Sequence, residues 1–269
     1  MSISRHPVAL SLEERVGRST RLLATVMGLP LLDGIFIALL VSGALDSPLA
    51  VLEAGLLIFG GSATVAVILA EFEASRREHL LAIVAIGALL VPVAVAEAAL
   101  ATSLASVIDF AIFQRFAGVV ILAIAAKTAS AEVGRLLPAP VVIIGLGLLA
   151  SVDLSAPTIR VSTDPSLMLT AAATAGVGVA FAMGVAIFAP QLRLHVDLER
   201  FRFGSAVALG MLALDVVGII PTDAPVALGV LLVTAVLAYT PGGDERRSTA
   251  VALQGQSDDP QFESRAPWL

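Results

Sequence analysis

An all-α integral membrane protein is the fold class this sequence predicts, and three observations carry it. Hydrophobic residues make up 58% of the 269 positions and charged residues only 14%, with a mean hydropathy of +0.96. A soluble domain normally carries about 25% charged residues. Apolar runs of about 20 residues, the length that crosses a bilayer, recur from Leu22 to Tyr239 with no long polar interval. Once those runs are taken as spans, the arginines fall almost entirely on one side.

Residues 1–21 are charged and amphipathic and lack an apolar core followed by a small-residue cleavage site, so they are expected to form a cytoplasmic N-terminal segment. About eight transmembrane helices are predicted, over 22–44, 48–70, 80–101, 116–135, 137–153, 167–189, 203–220 and 224–240. The turn Asp46-Ser47-Pro48 separates the first two, and Pro48 suits a first helical position. Residues 102–115 hold Asp109, Gln114 and Arg115 and read as a loop or short surface helix. Residues 155–166 are broken by Pro157 and Asp164-Pro165. The polytopic domain is therefore 22–240, and 241–269 reads as a disordered cytoplasmic tail.

Charge placement tests the count. With the N-terminus in the cytoplasm, thirteen of the fifteen arginines lie inside and only Arg115 and Arg160 outside. A missed or invented helix would scramble that bias, so both termini are expected in the cytoplasm of a cell-membrane protein. Lysine occurs once, at Lys127, against twenty-two acids and a net charge of −6. This arginine-for-lysine, acid-rich usage matches an extreme halophile with a GC-rich genome.

The chain also carries a candidate internal repeat. Arg18, Gly28, Leu32 and Asp33 match Arg200, Gly210, Leu214 and Asp215 at one constant offset, and Asp46-Ser47-Pro48 is answered by Asp223-Ala224-Pro225. A fainter middle copy runs from Arg115-Phe116 to Ala139-Pro140-Val141. Helices one to three and four to six then form triplets. An odd number of spans per triplet places successive copies in opposite orientations, the inverted arrangement found in alternating-access transporters.

Within the spans, Asp33, Lys127 and Asp215 are the formal charges expected at depth. A carboxylate at a helix centre costs about 2.5–3.5 kcal/mol on insertion scales, so each is a candidate functional residue that needs a named partner. Two aspartates supply hard oxygen ligands for a small cation, and Lys127 would be their internal counter-ion. The alternative is a buried pair that only fixes helix register. Pro30 frees the Val26 carbonyl and is expected to kink the first helix before Asp33. Ser62 and Thr64, in the Gly60-Gly61-Ser62-Ala63-Thr64 run, are the candidate polar lining of a pathway. The Gly60-Gly61 pair, Gly145 and Gly147, and Ala172, Gly176, Gly178 and Gly184 are expected to serve close helix packing.

Other classes find no support in the sequence. Cysteine is absent, which removes disulfides, thiolate metal sites and cysteine nucleophiles. His6, His79 and His195 have no zinc-enzyme spacing, and no phosphate-binding glycine loop or nucleophile elbow is present. No cofactor, metal or enzymatic role is expected. The arginines hug the membrane surface, which favours lipid headgroups over nucleic acid as partners, and a homo-oligomer is left open.

The runs LLATVMGLPLLDGIF, EAGLLIFGGSATVAVILAE and RFAGVVILAIAAKTAS resemble a family of haloarchaeal multi-spanning membrane proteins with no established activity, over residues 6–240. Leu32-Asp33-Gly34-Ile35-Phe36 is more distantly similar to motifs of lysine-exporter and tellurite-resistance type exporters, which repeat an intramembrane aspartate in an inverted second half. In this chain the second aspartate is in helix seven, not helix four, and the usual neighbouring asparagine is missing. The resemblance implies cation export. The expected function is a secondary transporter or permease for a small cation or cationic solute, with a non-transporting scaffold or sensor as the alternative.

Overall fold

A computed structural model describes residues 17–71, 76–153, 164–220 and 224–240. Nearly all of the expected N-terminal segment, and the whole C-terminal tail, lie outside the described residues. The described residues are helical, with no strand beyond two isolated bridges, Ile108 with Val152 and Val196 with Tyr239.

The first two predicted spans are each broken. Helix α1, Arg18–Leu32, runs through Pro30 and stops at Asp33, and α2, Ile35–Val41, resumes at an angle of 42°. Gly34, at φ 72°, makes the turn, a left-handed conformation that costs an ordinary L-residue roughly 1–2 kcal/mol. Helix α3, Pro48–Ala54, is capped by the Ser47 hydroxyl on the Ala50 N–H and widens to π winding over Gly55–Phe59. After the Gly60-Gly61 break, α4, Ser62–Ala66, continues in π winding over Val67–Glu71, and this pair is bent by 49°.

The remaining elements are α5 (Arg76–Ala105), α6 (Phe110–Ala129), α7 (Ala131–Leu136), α8 (Pro140–Ser151), α9 (Pro165–Ile187), α10 (Ala189–His195), α11 (Leu198–Val216) and α12 (Val226–Ala238). Three of these, α5, α6 and α9, are long and apolar enough to cross a membrane, and the number is up to five if each bent pair counts as one span. Helices α8 and α12 are apolar but shorter.

Side-chain caps set the boundaries of α6 and α11, and they do so earlier than hydropathy suggests. The Asp109 carboxylate accepts from the Ile112 N–H at 3.1 Å, so α6 starts within what reads as a loop. Ser130 then leaves the helical conformation and caps α7. Asp197 accepts from the N–H groups of Glu199 and Arg200, and α11 ends just before Gly218, at φ 78°. Both helices therefore start five or six residues closer to the N-terminus than expected, and the last residues of each predicted span fall beyond the helix. Asp164 caps α9 in the same manner, and the Ser166 hydroxyl and N–H hold its carboxyl below the ordinary aspartate range.

Packing centres on α5 against α9, α6 against α11 and α8, and α11 against α12, with the two bent pairs inserted among them. The buried core is mostly aliphatic, and two of its phenylalanines, Phe36 and Phe59, meet edge-on at 5.4 Å and join the bent pairs. Outward faces are also apolar, with Leu89, Leu149, Leu169 and Val236 all strongly exposed.

The glycines expected to serve close packing divide into two groups. A Cβ at Gly178 would lie 2.2 Å from the Phe59 Cβ, and one at Gly147 2.4 Å from the Phe116 Cβ, so these two allow close approach. Gly145, Gly176 and Gly184 face open space, which corrects their expected role. Gly178→Ala should therefore lower the thermal unfolding midpoint through overpacking of about 1–3 kcal/mol. Gly176→Ala should hold or raise it, since alanine is the better helix former by about 1 kcal/mol. Melting curves of the two purified variants check both.

Candidate functional site

The two backbone breaks meet at one cavity of about 170 Å³. Asp33 comes from the first break, and Gly61, Ser62 and Thr64 from the second. Helix α1 adds Val26, Leu29 and Pro30, α6 adds Ile121, Ile124 and Thr128, and α11 adds Ser205 and Leu209. Thr128 is in the last turn of α6 and Ser205 in the second turn of α11, so the cavity extends from the breaks toward the end of the bundle where α1 and α11 begin.

Asp33 is 8% exposed, and its carboxylate has no hydrogen bond or ion pair among the described residues. The nearby hydroxyls are already oriented. Thr64, 1% exposed, donates to the Phe59 carbonyl at 2.9 Å, and Thr128 donates to the Ile124 carbonyl at 2.8 Å. Each has spent its only proton on the helix and presents lone pairs to other neighbours.

The other two expected partners are elsewhere. Lys127 does not line the cavity and pairs with no acid among the described residues. Because α6 begins at its Asp109 cap and stops at Ser130, Lys127 falls in the last turn and not at mid-helix. A cation there is favoured by the helix dipole, and its stem packs over Gly134 of α7. The expected Asp33–Lys127 counter-ion pair is thus corrected.

Asp215 is exposed, one residue before the end of α11, because that helix starts early at Asp197. It lines a second pocket, of about 340 Å³, together with Asp46, Glu53 and Pro225, at the opposite end of the bundle. The two repeat aspartates therefore do not converge on one site, although each lies within two residues of a helix terminus. Pro30 and Val26 line the Asp33 cavity as expected of a proline-opened segment, but the bend itself is at Asp33-Gly34.

Sequence reasoning missed Glu53, Thr128 and Ser205. Glu53 reads as an acid able to reach an interface, yet it is buried and its Oε1 accepts from the Leu228 N–H at 2.8 Å. The Ala227 N–H also reaches it. These are free N–H groups at the start of α12, whose N-cap, Pro225, offers no side-chain acceptor. Glu53 therefore caps a helix far away in the chain. The Gln114 amide does the complementary service at the end of α11, donating to the Val216 carbonyl at 2.7 Å.

A family of unknown function, DUF5794, matches residues 90–217. The matched stretch holds Lys127, Asp215, Thr128 and Ser205, and leaves Asp33, Ser62 and Thr64 outside it. No curated protein and no solved structure matches the chain.

Removing the Glu53 cap leaves a buried N–H unsatisfied, a loss of about 1–3 kcal/mol. Glu53→Ala should lower the unfolding midpoint clearly, and Glu53→Gln, which keeps an acceptor oxygen, should recover most of the loss. Thermal melts of the two variants side by side make the comparison.

Proposed function

We propose that the protein is a secondary transporter or permease for a small cation or cationic solute. In this reading the two bent pairs, α5, α6, α8, α9, α11 and α12 make eight crossings, with both termini in the cytoplasm. The exposed aliphatic side chains then face lipid, and α8 and α12 are short spans.

One observation carries the proposal: a buried, unpaired carboxylate at the break of one bent helix faces a cavity shared with the break of another. Discontinuous helices at mid-membrane, with polar groups gathered at the breaks, are how transporters bind charged solutes. An aspartate kept there without a cation of the protein's own has its charge available to a solute. The rival scaffold reading needs a resident partner for Asp33, and Lys127 does not fill that place.

Two further features support the reading. The third helices of the two predicted triplets, α5 and α9, pack along each other, as elements nearest a pseudo-two-fold axis do. The second pocket, with Asp46, Glu53 and Asp215, would be an acidic vestibule at the outer end that draws cations inward.

Flux into proteoliposomes over a panel of cations tests this. Asp33→Asn should abolish Asp33-dependent uptake, a loss of at least tenfold, while Lys127→Gln should leave most of it. Equal flux in wild type and Asp33→Asn would remove Asp33 from the mechanism.

A further inference from the structure

We propose that the Asp33 cavity binds a monovalent organic ammonium with a short aliphatic body, in preference to a bare metal cation, a quaternary ammonium or a zwitterion. The inference rests on the transport reading only for its consequence in flux; the binding claim stands on the cavity itself.

Charge comes first. Among the described residues Asp33 is the only ionisable side chain lining the cavity, it is more than nine-tenths buried, and it has no partner. A single positive charge neutralises the site. A divalent ion would leave a net charge in an apolar enclosure, at a cost of several kcal/mol.

The oxygen inventory comes second. Beside the carboxylate, the cavity offers the hydroxyls of Ser62, Thr64, Thr128 and Ser205. Those of Thr64 and Thr128 are committed as donors to the backbone, so they only accept. A primary ammonium brings three N–H donors and no acceptor, which suits a carboxylate in a cavity that also offers hydroxyl oxygens as acceptors. Stripping a calcium ion of water requires about six to eight oxygens around it, and the rest of this lining is aliphatic. None of the described lining residues is basic, so the carboxylate of an amino acid would meet no counter-charge among them.

Shape comes third. Leu29, Ile58, Ile121, Ile124 and Leu209 form apolar wall, and none of the described lining residues is aromatic. Quaternary ammoniums are typically held by aromatic cages, which are missing from this lining. An apolar cavity of about 150 Å³ holds a benzene molecule, so 170 Å³ takes a body of about six heavy atoms. The solute class is therefore a primary amine of roughly four to six carbons, with its head at Asp33 and its chain along α6 and α11.

Calorimetric titration of the full-length protein in nanodiscs tests the claim, with n-butylammonium, n-octylammonium, tetramethylammonium, potassium, calcium and lysine as separate probes. Butylammonium should bind, and its affinity should fall at least tenfold in Asp33→Asn. The other five should bind at least tenfold more weakly. Leu209→Phe, which enlarges an apolar wall residue and keeps the carboxylate, should shift the preferred chain to a shorter amine, and its retained amine binding is the control for folding in the Asp33→Asn comparison. Binding of potassium or calcium through Asp33 without binding of butylammonium would overturn the solute class and leave the transport reading intact. Butylammonium binding that is equal in wild type and Asp33→Asn would overturn the site. Asp33-dependent binding with no flux of bound amine in proteoliposomes would uphold the site and overturn the transport reading.

Discussion

A helix broken inside an apolar bundle frees backbone groups that no water is at hand to satisfy, and the layout around Asp33 follows from how those groups are met. Irregular backbone at membrane depth is tolerated only where protein or a cavity surrounds it. At the first break the Asp33 N–H reaches the Leu29 carbonyl at 2.8 Å and the Gly34 N–H reaches Leu31 at 3.3 Å. At the second, the Gly60 N–H reaches back to Gly55 at 3.1 Å in π fashion, and the Thr64 hydroxyl takes the Phe59 carbonyl. These bonds close the ends of the segments before each break, while the first N–H groups of α2 and α4 carry no side-chain cap, and Asp33, Ser62 and Thr64 line the cavity between them.

The same constraint explains the close packing around the second bent pair. A π-wound, broken segment loses the regular surface of a helix, and α9 compensates by approaching it closely. A Cβ at Gly55 would lie 2.7 Å from the Thr174 carbonyl, and one at Gly60 2.7 Å from the Phe181 ring. Gly178 accepts Phe59 in return. The break is thus clamped on the α9 side by shape, while its other side, toward α6 and α11, is left open as the cavity.

Much of this was legible in the residues, and the rest was hidden for a definable reason. The helical class, the apolar runs and the grouping of Asp33 with Ser62 and Thr64 follow from composition and position. The breaks themselves were announced by Asp33-Gly34 and Gly60-Gly61, dipeptides that favour turns. Within long apolar runs those signals were outweighed by hydropathy, so a kink at Pro30 and packing at the glycine pair were expected instead. Lys127 and Asp215 were misplaced by one shared cause. A hydropathy window rejects a charged first turn, whereas Asp109 and Asp197 begin their helices there by capping free N–H groups. Moving each helix toward the N-terminus carries both charges from mid-span to an end. Glu53 was hidden differently, because its partner N–H groups lie in α12, beyond the reach of any local pattern.

Glu53 and Asp33 make the functional distinction sharp, because burial treats them alike. They are 7% and 8% exposed, both belong to bent pairs, and a carboxylate in either place requires something to offset its desolvation. For Glu53 the protein supplies that group itself, the N-terminus of α12, and the interaction fixes one helix against another. For Asp33 no described residue supplies a hydrogen bond to the carboxylate or a cation beside it. Of these two acids, Glu53 holds one helix against another, and Asp33 is the one on which the proposed solute site rests.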